Sequence, residues 1–318
     1  MTSKKVLVVF GATGVQGGSV ARSVLADPTA SKEFHIKAVT RDPSKPTSVA
    51  LARLGAELVI ADMEDKDSLR AVLEGAYGVF LVTLMENFDY VGETRKGMNV
   101  VDICKETDIK HLVWSSLPYI SKFSNGKYPD AVHFDGKAVI DDHVRALGVP
   151  HTIVHVGTYI SYLLESFAPQ STDPRKYTLS FPKPASLDTE LPLIDASADV
   201  GKFVKAILLN PERSLGELYN LAYRFVTIRD FVQTVKANGV DLTFQAVEKD
   251  EFKGGMAAFG LPEFFQEDVA QVISFGAEFG FQLSSGEVEK VQQLVEEPLT
   301  SLEESLRSSA VFAGLKGE

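Results

Sequence analysis

The sequence predicts an α/β protein, a Rossmann-like doubly wound parallel sheet followed by a smaller C-terminal substrate domain. Three observations lead there: an apolar run from Lys5 to Phe10 ends in a glycine-rich turn, strand-like and helix-like stretches then alternate as far as Val156, and beyond that point the alternation fails. A nucleotide-binding domain is expected over residues 1–156, with 191–212 returning to it, and a cap over 157–318.

Lys5-Val6-Leu7-Val8-Val9-Phe10 reads as a strand covered on both faces, since such strands show a continuous apolar run. Gly11-Ala12-Thr13-Gly14-Val15-Gln16-Gly17 follows, and a helix begins near Gly14 with Val20, Val24 and Leu25 on its inner side. Gly11 permits the tight turn, Gly14 lets the backbone approach a pyrophosphate, and Gly17 lets the helix pack closely on the strand. The free N–H groups of the first helical turn attract the phosphates. The spacing G-x-x-G-x-x-G resembles extended and atypical short-chain dehydrogenase relatives rather than the standard G-x-G-x-x-G.

Further strands are expected at Phe34–Thr40, Glu57–Ala61, Gly78–Thr83, His111–Ser115 and His151–Val156. Ligands of such sheets bind at the carboxyl ends of the strands, so the residues after each strand are the candidates. After the second strand stands Arg41, where an acidic residue would hold the 2′-hydroxyl of NAD. Its guanidinium can grip a 2′-phosphate and Lys45 can add a charge, which selects NADP(H); the competing reading pairs Arg41 with Asp42 on the surface. Asp62 and Met63, after the third strand, flank the adenine, unless Asp62 caps the helix beginning near Lys66. Thr83, Leu84 and Met85 pass beneath the nicotinamide ribose through their backbone. Arg95 and Lys96, in a helix starting around Tyr90, reach a phosphate or the substrate, or else lie on a solvated face. At the end of the fifth strand, Ser115 or Ser116 polarises a carbonyl, or satisfies a turn.

The run Ala131 to Ile140 carries His133 and Lys137 at the i and i+4 positions of one helix face. Short-chain reductases place a tyrosine acid and a lysine at that spacing. Lys137 can still hold the nicotinamide ribose, and His133 would replace the acid with an imidazole, its alternative being packing. From Gly157 to Phe167 a helix is expected, with Tyr159 and Tyr162 projecting toward the nicotinamide. Pro169–Pro192 reads as a substrate-side excursion containing the strand Tyr177–Phe181. Leu191–Ile194, a helix Ala198–Leu209, strands Gly216–Ala222 and Val240–Val247, and a helix Thr227–Asn238 follow. The last ~70 residues read as a helical cap in which Phe252, Phe259, Phe264, Phe265, Phe275, Phe279 and Phe281 wall an apolar cleft or pack a core. Thr300-Ser301-Leu302-Glu303 opens the final helix as a capping box or a near variant, and the tail after Ser308 frays.

The chain has 318 residues, 45% hydrophobic and 24% charged, with a formal net charge of −11. That charge argues against non-specific binding to nucleic acid or to an anionic membrane. A lone cysteine, Cys104, forms no internal disulfide and fits a reducing compartment, cytoplasmic or nuclear. The six histidines show no metal-ligand spacing, so no metal is expected, and no nucleophile elbow follows a strand.

Gly-Ala-Thr-Gly-Val-Gln-Gly-Gly at 11–18, Thr-Arg-Asp-Pro at 40–43, His-Phe-Asp-Gly-Lys at 133–137 and Gly-Thr-Tyr at 157–159 together resemble the NmrA-like family, atypical short-chain dehydrogenase relatives that also resemble isoflavone reductases. The resemblance implies NADP(H) binding through residues 11–17, Arg41 to Lys45, Asp62, Met63, Thr83 to Met85, Lys137, and Tyr159, Ile160, Ser161 and Tyr162. Some relatives are reductases and others are cofactor-sensing regulators. The expected function is an NADPH-dependent oxidoreductase acting on a small apolar carbonyl or enone, with Ser115 or Ser116, Lys137, and His133 or Tyr159 as its chemistry. The alternative is a non-catalytic NADP(H) sensor acting through protein partners.

Overall fold

The computed structural model describes residues 4–171, 173, 175–282 and 285–317. Its centre is a parallel sheet of seven strands, of which six come in chain order: β1 Lys5–Val9, β2 Phe34–Val39, β3 Glu57–Val59, β4 Gly78–Leu81, β5 His111–Ser116 and β6 His151–Val156. The spatial order is Leu218–Leu221, β6, β5, β4, β1, β2, β3. β1 is central, with Leu7 opposite Ile36 on one side and Gly78 on the other.

Alternate residues of each strand feed two separate cores, which is why the strands read as unbroken apolar runs. Leu7, Val9, Phe80, Val113 and Val154 pack under the helices Val15–Ala26 and Ala196–Leu209. Val8, Val79, Leu81, Leu112, Trp114 and Ile153 pack on the other face under Lys66–Leu73, Tyr90–Glu106 and Val132–Leu147. Cys104 is fully buried there, and burial pushes its thiol pKa up.

The chain returns to this sheet after an excursion. Helix Ala196–Leu209, capped by Asp195 and begun two residues before the expected Ala198, crosses Val15–Ala26 so closely that a Cβ on Gly201 would lie 2.1 Å from the Ser19 carbonyl oxygen. The Gly201 N–H donates to Ser19 Oγ at 2.9 Å. Strand Leu218–Leu221 then pairs with β6.

The expected helix Gly157–Phe167 is shorter than its sequence suggests. Thr158–Tyr159 forms a strand beside Leu193–Ile194, and only Ile160–Glu165 is helical. Gly157 permits this, because a Cβ there would meet the Pro192 carbonyl oxygen at 2.3 Å. Leu191–Ile194 thus lies in a small sheet with Arg224–Thr227 and Thr158–Tyr159 rather than in the main one. A third sheet holds Asp241–Val247, Lys176–Pro182 and Ala168–Pro169.

The C-terminal helices include Lys249–Ala257, Glu263–Phe279 and Leu302–Ser308, the last opened by a capping box between Ser301 and Glu304. The expected frayed tail is instead a helix, Ala310–Lys316. Ser309 caps it, Phe312 is buried, and the Leu315 carbonyl accepts from the Tyr177 hydroxyl at 3.3 Å. Of the seven phenylalanines assigned to the cap, Phe275 is fully buried with Phe279 stacked on it, while Phe259 is 83% exposed.

Candidate functional site

The turn after β1 has the backbone its glycines make possible. Gly11 has φ +62°, and a Cβ on it would lie 2.7 Å from Val82. A Cβ on Gly17 would lie 2.4 Å from the carbonyl oxygens of both Gly11 and Phe10, so this glycine fixes how closely helix Val15–Ala26 sits on the strand. Gly14 is different: its backbone is extended, and a Cβ would meet only the Gly11 carbonyl oxygen, at 3.3 Å. The helix has no side-chain cap and no acidic residue in its first turn. Its N-terminal N–H groups and dipole are therefore left for an anion, which is what a pyrophosphate requires. Ala12 is buried, whereas Thr13 and Val15 are exposed on the loop.

Past β2, Arg41 is 74% exposed at its side chain and pairs with Glu86, not with Asp42. Asp42 instead accepts from the backbone and hydroxyl of Ser44, and these bonds hold its carboxyl below the usual range. Lys45 ends the same turn, immediately before helix Pro46–Arg53. Past β3, Asp62 Oδ1 accepts from the Glu64 N–H, and the helix at Lys66 is capped by Asp65 rather than by Asp62. Met63 packs against the core, and its carbonyl accepts from Asn99. Arg95 pairs with Glu64, and Lys96 with Glu86 at 3.0 Å.

Three strand ends meet at the other half of the edge. The Ser115 hydroxyl donates to Gln16 Oε1 at 2.7 Å, and Gln16 Nε2 donates to the Tyr159 hydroxyl at 2.6 Å. Tyr159 stacks on Tyr162 with ring centres 4.7 Å apart, and burial pushes its phenol pKa up. Lys137 Nζ donates to Thr83 Oγ1 at 2.7 Å and to the Thr83 carbonyl at 3.2 Å, lies 2.8 Å from Glu93 Oε1, and sits over the Trp114 ring. The Thr83 hydroxyl donates in turn to Glu93. His133, one turn earlier on the Lys137 helix, has Nδ1 2.5 Å from Asp268 Oδ2 on helix Glu263–Phe279. Asp268 is fully buried, and its other oxygen has no hydrogen-bond partner among the described residues.

The structure thus brings Gln16, Ser115, Tyr159 and Tyr162 into one polar chain, and Thr83 and Lys137 into another. Ser116 does not join them. Strand alternation turns it to the opposite face from Ser115, and both serines are buried. Ile160 is 2% exposed in the C-terminal core, so its side chain is unavailable to a ligand; Ser161 is exposed beside it. Leu84 is exposed and Met85 half-buried on the segment that carries Glu86.

Three carboxylates were invisible to the motif reading: Glu86, Glu93 and Asp268. Glu93 had a local signal, being the one acid whose helical position, three residues after Tyr90, turns inward against the end of β4. Asp268 lies 135 residues from its partner, and nothing local announces it. Among the described residues no group of three or more His, Cys, Asp or Glu side chains could hold a metal ion, and no helix is long and apolar enough to cross a membrane.

A parallel sheet covered on both faces, with a glycine turn after its central strand and polar side chains gathered at the carboxyl edge, defines a Rossmann-type α/β protein. A family model of the NmrA-like family matches residues 3–306, and the chain belongs to that family. A relative of similar sequence is the NmrA-like family domain-containing oxidoreductase hkm9 of Aspergillus hancockii, 30% identical over 275 residues, which cover 81% of this chain and 79% of the relative. The fold is similar to the crystal structure of NmrA, a negative transcriptional regulator, in complex with NADP. The TM-score is 0.76 and the identity 20%, over 99% of this chain and 98% of that one. It is also similar to the NADPH-dependent quinone oxidoreductase QOR2 of Escherichia coli complexed with NADPH, with TM-score 0.74 and 22% identity over 94% and 98% of the two chains.

Proposed function

We propose that this protein is an NADP(H)-dependent oxidoreductase that acts on a small, largely apolar carbonyl or enone. The observation that carries the proposal is the meeting of Gln16, Thr83, Ser115, Lys137 and Tyr159 at the carboxyl edge beside an uncapped glycine-loop helix. Relatives named as oxidoreductases and neighbours crystallised with NADP or NADPH support it. The cofactor, when bound, supplies or accepts the hydride.

The chain's own residues would do the rest. Gly11 to Gly17 present N–H groups to the pyrophosphate, and Arg41 with Lys45 meets the 2′-phosphate. Lys137 is aimed by Glu93 and Thr83, and its weakest contact, at 3.2 Å to the Thr83 carbonyl, is the one a ribose hydroxyl can replace. Ser115 polarises the substrate oxygen. His133 would give up a proton held on Nε2, while its Nδ1–H stays donated to Asp268. Asp268 is then a positioning residue. Residues 157–318 would wall the substrate side through Phe264 and Phe265.

The test is purified protein with NADPH and a panel of apolar aldehydes, ketones, quinones and enones. Substrate-dependent loss of nicotinamide absorbance is expected, and tight NADPH binding with no turnover on any member would overturn the enzymatic reading. A second reading, a cofactor-dependent regulator, is supported by the histidine standing where reductases carry tyrosine and by the likeness to a transcriptional regulator. It requires that the partners retained in a pull-down differ between NADPH and NADP⁺.

A further inference from the structure

Glu86 lies on the segment that leaves β4, and Arg41 follows β2. Since β2 and β4 flank β1, the Arg41–Glu86 pair bridges the carboxyl edge directly above the strand that leads into the glycine turn. One Glu86 oxygen takes Arg41, and the other takes Lys96 at 3.0 Å. Glu64 pairs with Arg95 at 3.1 Å on the far side of Lys96, so three cations share two carboxylates. Those hydrogen bonds to Lys96 and Arg41 hold the Glu86 carboxyl below its usual range, so it stays ionised.

The segment carrying Glu86 is tense. Asn87 and Phe88 both have left-handed backbone, with φ +52° and +59°, and an aromatic residue rarely adopts that region. It is held by the Glu86 ion pairs, by the Phe88 ring, 5.1 Å from Phe265 and 6.4 Å from Phe264, and by Asp89, which caps helix Tyr90–Glu106.

We propose that Glu86 is a resident stand-in for the 2′-phosphate of NADP(H): its carboxylate occupies Arg41, and a phosphate-bearing cofactor binds by displacing it, whereas NAD(H) leaves the pair intact. This rests on the reading that Arg41 meets the 2′-phosphate. A phosphate monoester carries nearly two charges and three acceptor oxygens against the single charge of a carboxylate, so it wins the guanidinium. Arg41 is exposed, so the exchange opens no core. Once Arg41 is released, Glu86 keeps only its Lys96 pair, so residues 84–89 are held less firmly against helix Glu263–Phe279, and the 2′-phosphate is the signal for that loosening.

The test is calorimetry of NADPH and NADH on wild type, Glu86→Gln and Arg41→Ala, with hydrogen exchange of wild type saturated with NADP⁺ or NAD⁺. Glu86→Gln is expected to tighten NADPH by roughly 3- to 5-fold and to leave NADH within about twofold, the upper end of the scale set by loss of one exposed ion pair. Amides of 84–89 are expected to exchange faster with NADP⁺ than with NAD⁺. An unchanged or weakened NADPH affinity in Glu86→Gln, an equal gain for both cofactors, or equal exchange in the two complexes would overturn the proposal. If Arg41→Ala binds NADPH as tightly as wild type, the placement of the 2′-phosphate itself fails. If Arg41→Ala weakens NADPH while Glu86→Gln changes nothing, that placement stands and the stand-in falls.

Discussion

Lys137 bonds to two side chains and one carbonyl and sits over the Trp114 ring, which predicts how its loss reads out. Lys137→Ala leaves Glu93 5% exposed without its cation, so both NADPH affinity and melting temperature should fall; Lys137→Ala combined with Glu93→Gln should recover the melting temperature but not the affinity. His133→Phe should lower turnover by ~10²-fold with cofactor affinity nearly intact. Asp268→Asn should lower turnover less, because an amide oxygen can still accept from the imidazole N–H and hold the ring in place. Turnover in both variants equal to wild type would return His133 to a packing role. At this scale the sequence was legible in position: Arg41 follows the second strand, and His133 and Lys137 lie one turn apart on one helix. It was mute about Glu86 and Asp268, whose meaning comes only from partners brought near by folding.

Among the elements, the glycine turn separates two effects that a motif alone runs together. Gly17→Ala would force a Cβ to 2.4 Å from two backbone oxygens, and Gly201→Ala to 2.1 Å from a third, so both should unfold at clearly lower temperature. Gly14→Val meets its nearest neighbour at 3.3 Å and should keep most of its stability while losing NADPH binding, measured by calorimetry beside a melting curve. β5 carries a further prediction. His111 is fully buried, and desolvation first, then His151, lowers its pKa to about 4. The folded value lies below the unfolded one of ~6.5, so the unfolded chain takes up the proton first. Stability should fall as pH drops from ~6.5 toward 4, by an order-of-magnitude 3 kcal/mol in all. His111→Leu should flatten that slope, and an unchanged slope between pH 7 and 5 would count against it. The strands and helices up to Val156 were legible because burial on both faces imposes apolar runs and glycine marks the turns. Residues 157–167 were not: the apolar period fits a helix, and the pairing of Thr158–Tyr159 with Leu193–Ile194 depends on a strand 35 residues away.

Over the whole molecule, the contact of His133 with Asp268 is one of several that join the main-sheet side to the C-terminal helix Glu263–Phe279, beside Tyr128 with Glu278 and Asp130 with Gln271. If that contact also closes the site, Asp268→Asn should raise hydrogen exchange across both Val132–Leu147 and Glu263–Phe279 rather than at one of them. The C-terminal region was the least legible part, since short helices and small sheets leave weak periodicity, and the tail after Ser308 packs through Phe312 on a core assembled from distant residues. The chain's single tryptophan has a consequence of its own. Trp114 is fully buried, its indole N–H donates to Asp141 at 2.7 Å, and its ring lies 5.2 Å from Lys137 Nζ. Indole emits where reduced nicotinamide absorbs, so this protein carries its own optical gauge: quenching of a lone, buried indole can count occupied sites in real time, with no label attached and no second tryptophan to subtract.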